Sequence, residues 1–248
     1  MAALWGVFFA LVLAGWAVMW VMAQDRAVWS GPVGLALLAD LCAAGAGEAG
    51  WPALAGMWAA MAAGMMLPSA APAIATWVRL PPAASGGAAG TAALVAGYLA
   101  VWLAAAGGFA AVQGTLARAA LVGPDGASRV PALSAFLFAL AGAYQFSRLK
   151  TACLRRCRMP LTVFVEHWRP GLGGAFAAGL RLGILCLGCC VALMALAFVG
   201  GMASLGWMGL ATVLMVLEKL PRAGARLTRP LGWVLLAAAG LAAAGGLG

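Results

Sequence analysis

A chain of 248 residues that is 65% hydrophobic and 8% charged excludes a soluble globular domain, whose residues are about 25% charged. The composition is that of an all-α polytopic membrane protein, and 35 glycines suit close approach of its helices. The net charge of +9 comes without an aromatic-interleaved basic face, which argues against nucleic acid and for basic residues held on one side of a bilayer.

The first apolar run, 2–23, lacks a basic leader and is too long for a signal core, so it reads as a retained span. A long loop follows at 24–51, in which PVGLALLADLCAAG could form a short interfacial helix. The second span, 52–77, is interrupted by Pro68 and Pro72, and a kink or break is expected there. Further spans are expected at 90–112, 131–149, 172–198, 202–218 and 231–247. The fifth and sixth are separated only by VGGM, which predicts a tight helical hairpin. These seven helices form one transmembrane domain over residues 1–248.

Charge orients the bundle. With a cytoplasmic N-terminus, the inside segments carry Arg79, Arg148, Lys150, Arg155, Arg156, Arg158, Arg169, Lys219, Arg222, Arg226 and Arg229. The outside segments carry only Arg26, Arg118 and Arg129. This asymmetry predicts N-terminus inside and C-terminus outside.

Three of the six cysteines lie in the fifth span, in CLGCC. Cys186, Cys189 and Cys190 are spaced i, i+3 and i+4, so they share one helical face, and Met194 extends the stripe. In the second span Met57, Met61 and Met65 recur every four residues, with Met66 beside them. Counting 1.5 Å per residue puts both stripes near mid-membrane. Thiolates and thioethers select Cu(I), and thiolates also take Zn(II). Plain packing competes with this reading, since methionine fills gaps and free cysteine behaves as a small hydrophobe.

A second pair, Cys153 and Cys157, follows the fourth span in SRLKTACLRRCRMP. Its i, i+4 spacing makes a second thiol site, and neighbouring arginines are expected to lower the thiol pKa. His167 could add a third ligand. Gln145 at the end of the fourth span, Arg181 within the fifth and Glu218 closing the sixth are supporting polar residues. Glu218 is expected to form an ion pair at the basic cytoplasmic boundary or, buried, to pair with Arg181.

The blocks MWAAMAAGMMLPSAAP, YQFSRLKTACLRRCRMP and CLGCC through LEKL together resemble a bacterial family described as predicted metal-binding integral membrane proteins. The resemblance covers about residues 51–222. It falls on Met57, Met61, Met65, Met66, Pro68, Ser69, Gln145, Lys150, Cys153, Cys157, Cys186, Cys189, Cys190, Met194, Met202 and Glu218. It implies a multi-pass inner-membrane protein with a metal site. Leu182 stands where the family pattern often has histidine, and Val191 where it often has an aromatic. If that histidine is a ligand in the family, this chain has a more purely sulfur site, or a weaker one.

The expected function is Cu(I) handling through a Cys/Met site, for transport or for delivery to a partner metalloprotein. Zinc is the second metal considered. The chain has no nucleotide loop and no hydrolase constellation, so the reading favours a non-enzyme. Two alternatives stand beside it. One is a membrane thiol–disulfide oxidoreductase using the CxxC of Cys186 and Cys189. The other is a structural or assembly subunit of a larger membrane complex, with partners in the bilayer.

Overall fold

The computed structural model describes residues 2–23, 50–123, 125–202 and 204–245. Among them the chain is helical, without a strand; a lone bridge joins Val122 to Ser128. The interfacial helix expected within 24–51 lies outside the described residues.

The helices run in chain order as α1 (Ala2–Met22), α2 (Trp51–Val78), α3 (Pro82–Ser85), α4 (Gly87–Arg118), α5 (Pro131–Gln145) and α6 (Arg148–Arg158). They continue as α7 (Pro160–Glu166), α8 (Gly171–Ala195), α9 (Ala197–Gly200), α10 (Leu205–Lys219) and α11 (Pro221–Ala243). Prolines open many of them: Pro52, Pro82, Pro131, Pro160 and Pro221 stand in first turns. There the missing N–H is no loss and the fixed φ already suits a helix. Among the described residues three stretches are long and apolar enough to cross a membrane: Trp51–Val78, Pro82–Arg118 and Gly171–Gly200.

The expected break at Pro68 and Pro72 does not occur, because α2 runs through both. Pro68 cannot donate to the Gly64 carbonyl, four residues back. The Trp16 indole of α1 fills that vacancy, Nε1 donating to Gly64 O at 3.1 Å. The approach needs glycine on both sides. A Cβ on Gly15 would stand 2.7 Å from Gly64 N.

The same device joins α4 to α8, which pack along each other's length. A Cβ on Gly97 would meet Phe176 O at 2.2 Å, and one on Gly179 would meet Leu94 O at 2.0 Å. Gly183 faces Val101 and the Tyr98 carbonyl. Gly179 and Gly183 form a GxxxG step, which lets two backbones touch. One turn further along α8, this contact sets Cys186 beside the Tyr98 side chain.

Two other spans differ from expectation. The fourth ends at Gln145, and the cysteine-bearing segment turns off as the separate helix α6, its N-cap Ser147 accepting from Lys150 N. The seventh begins ten residues earlier than expected, at Pro221. Between α8 and α10 the connection is not a bare VGGM turn. It holds the short α9 and is closed by Trp207, whose Nε1 donates to Leu196 O at 2.9 Å.

Candidate metal centre

Cys186, Cys189 and Cys190 are all buried, and their sulfurs lie within 4.8 Å of one another. Cys189 Sγ stands 3.4 Å from Cys190 Sγ and donates to the Cys186 carbonyl at 3.1 Å. A metal with bonds of about 2.3 Å to three sulfurs in a plane spaces them by roughly 4 Å. The cluster therefore needs only side-chain adjustment to take a soft ion.

A ring of polar contacts surrounds Cys186 and draws on four helices. Lys219 Nζ, at the end of α10, donates to Cys186 Sγ at 2.9 Å and to Ser69 Oγ at 2.6 Å. Ser69 Oγ donates to the Met66 carbonyl of α2 at 2.8 Å. Tyr98 Oη of α4 reaches the same carbonyl at 2.9 Å and Cys186 Sγ at 3.1 Å. Its single proton serves one or the other, whereas the lysine ammonium has three to give. Lys219 is only 8% exposed, so its charge needs a partner. The thiol of Cys186, as thiolate, supplies one.

The chain has two tyrosines, and both serve α8. Tyr144 Oη donates to the Gly188 carbonyl.

The second cysteine pair lies against the first. On α6, Lys150, Cys153 and Leu154 are buried, and Cys157 is half-buried on the same face. Cys153 rests on Gly188 of α8, where a Cβ would stand 2.7 Å from its sulfur. Cys157, four residues on, faces the same cluster. It also lines a small cavity with Cys186, Tyr98, Ser69 and Lys219. Burial pushes the Cys153 thiol up, not down as the neighbouring arginines had suggested. Arg155 and Arg156 point outward and do not face it. His167 is exposed, with Nδ1 3.9 Å from Glu166 Oε2. Among the described residues the group of three or more His, Cys, Asp or Glu side chains able to share an ion is Cys186, Cys189 and Cys190.

Glu218 makes the ion pair expected of it, with Lys150 and not with Arg181. Lys150 Nζ lies 2.7 Å from Glu218 Oε2, both 1% exposed. Arg158 donates to the Glu218 carbonyl through Nε at 3.0 Å and Nη2 at 2.7 Å, capping the C-terminal end of α10. Arg181 instead reaches the His167 carbonyl at 3.3 Å. Gln145 is buried, and its amide oxygen and nitrogen are both without a partner, as is Glu218 Oε1.

Met57, Met61, Met65, Met66 and Met194 are all buried in the core. The link from the methionine helix to the thiols is the Met66 carbonyl, through Tyr98 and Ser69. The two depths expected for Lys219 and Cys186 are one level in the fold. Lys219 was placed at the cytoplasmic boundary and Cys186 at mid-membrane, yet they touch. From Cys186 to Gly200, and back from Leu205 to Lys219, the two paths are each about 21 Å at 1.5 Å per residue. Lys219, at the C-terminal end of α10, therefore sits level with the middle of the Gly171–Gly200 stretch, well away from the α9 turn.

The sequence model of the family described as "PpoB2: Copper chaperone" matches residues 55–242. The chain belongs to this family. The match takes in the methionine helix, both cysteine pairs and the whole ring around Cys186. A copper-related family and three converging thiols agree with the expectation of copper binding. No curated protein and no solved structure matches the chain significantly.

Sequence reasoning passed over Tyr98 and Lys219 as site residues. The signal for Tyr98 was its rarity, a hydroxyl in an otherwise apolar span. For Lys219 it was a second charge directly after Glu218, at the end of an apolar run.

Proposed function

We propose that this copper chaperone family member is a multi-pass membrane protein that holds one Cu(I) on Cys186, Cys189 and Cys190 and passes it to a partner metalloprotein. The observation that carries the reading is the trio of buried thiols within 4.8 Å. Thiolates favour Cu(I), and three sulfurs suit it better than zinc, whose structural sites take four ligands. Copper here is cargo, so a site that adjusts by small side-chain movements suits repeated loading and release.

The membrane reading is supported by three helices of spanning length and apolarity. The positive residues favour an inner-membrane protein with seven spans in one domain, N-terminus inside and C-terminus outside. In that orientation α6 follows a span that ends on the cytoplasmic side, and the thiols lie midway along the Gly171–Gly200 stretch. The methionine stripe of α2 would then offer weaker thioether ligands beyond the ring, with Met194 above Cys190.

The test is the copper content of detergent-purified protein after Cu(I) loading under reducing conditions. Wild type should retain about one copper per chain at a thiolate site. Replacing Cys186, Cys189 and Cys190 by serine should abolish that retention. A wild type that holds no copper, or a triple variant that holds as much, would sink the reading.

A further inference from the structure

Of the five described cysteines, four are buried, and Cys157 alone among them is half-buried. Cys157 is also the one that bridges two environments. On its outer side, Arg155 and Arg156 are exposed, so this side of α6 meets an aqueous phase. On its inner side it lines the cavity that Cys186 and Lys219 also line. That cavity has a volume of about 20 Å³, room for one water-sized particle. The three-thiol cluster is otherwise sealed, with Cys186 2%, Cys189 1% and Cys190 1% exposed. An ion of cargo must nevertheless enter and leave.

We propose that Cys157 is the transfer ligand of this site, taking Cu(I) from a thiolate-borne donor at the α6 face and relaying it to Cys189 and Cys186. The inference rests on the copper-binding reading above. Each relay step is a ligand exchange. One Cu–S bond forms to the incoming thiol as one to the departing sulfur breaks. Copper stays Cu(I), no electron moves, and the incoming thiol's proton passes to the departing thiolate. The path is short because Gly188 lets α6 lie directly on α8. The cationic outer side of α6 favours anionic donors and acceptors.

The experiment is Cu(I) transfer from the loaded protein to bathocuproine disulfonate, an anionic chelator, followed by its absorbance. Cys157→Ser should bind copper with wild-type stoichiometry but release it at least ~10-fold more slowly, a barrier increase of about 1.4 kcal/mol. Cys157→Met, which restores a sulfur ligand, should recover much of the rate. Should the serine variant fail to fold, the same question is put to loaded protein carrying Cys42→Ser. Capping its accessible thiol with methyl methanethiosulfonate should trap the copper, and dithiothreitol should free it. Release at the wild-type rate from the serine variant or the capped protein would overturn the relay. So would loss of stoichiometry in Cys157→Ser, which would make Cys157 a resident ligand. A Cys157–Cys189 disulfide formed in place of transfer would overturn it too. A wild type that never loads copper is the distinct failure, and it removes the underlying reading first.

Discussion

Lys219 Nζ stands 2.9 Å from Cys186 Sγ and 2.6 Å from Ser69 Oγ, and it ties the end of one helix to the thiol face of another. A buried ammonium of this kind holds its place only while its acceptors do. Lys219→Met removes two charge-assisted hydrogen bonds and should destabilise the copper-free protein by about 1.5–3 kcal/mol. Thermal unfolding in detergent measures it. A midpoint equal to wild type would show that the contact contributes nothing.

Gly179 makes a sharper packing test. Its missing Cβ leaves room for Leu94 O, which would otherwise lie 2.0 Å away. Gly179→Ala should force α8 off α4, part Tyr98 from Cys186 and cost about 1–3 kcal/mol. Gly173, on the same helix, has nothing within 4 Å of its Cβ position. Gly173→Ala should be neutral or gain up to about 1 kcal/mol in helix propensity. Equal effects of the two substitutions on unfolding would contradict the close contact.

The Lys150–Glu218 pair is 1% exposed on both sides. Removing either partner strands a buried charge, so Lys150→Met or Glu218→Met alone should destabilise by about 3–5 kcal/mol. The double variant Lys150→Met with Glu218→Met should recover part of that loss. A double-mutant cycle on unfolding midpoints is the measure, and strict additivity of the two losses would rule the coupling out.

Cys153 carries a thiol pushed up by burial. A raised thiol pKa means less thiolate at any given pH. Iodoacetamide should therefore modify Cys153 more slowly at neutral pH than it modifies a cysteine in a free peptide. The rate should rise only above the ordinary thiol range, near pH 8.5. Mass spectrometry of a variant retaining Cys153 as its sole cysteine, across a pH series, reads this directly. Fast labelling at pH 7 would show that the arginines of α6 dominate after all.

These relationships divide by range. Spacing alone placed Cys186, Cys189 and Cys190 on one face, because i, i+3 and i+4 are neighbours on any α-helix. Composition alone made the chain helical and apolar, and three helices of spanning length agree with it. The boundary of α2 was legible to within a residue, since Pro52 opens it and the apolar run is unbroken. Its continuity through Pro68 and Pro72 was not legible. That depended on Trp16, 48 residues away in sequence, meeting the vacant Gly64 carbonyl.

The site divides in the same way. Local sequence determined which residues carry sulfur and which helical face each one takes. Tertiary structure decided their company. Lys219 reaches Cys186 because α10 ends level with the middle of α8. Tyr98 reaches it because Gly97, Gly179 and Gly183 let two backbones touch. Cys157 joins the buried thiols because Gly188 admits α6. Helical periodicity is a property of neighbours in the chain and can be counted along it. Pairing between helices depends on which small residues face one another and on where each helix ends, and that is settled only when the whole bundle packs.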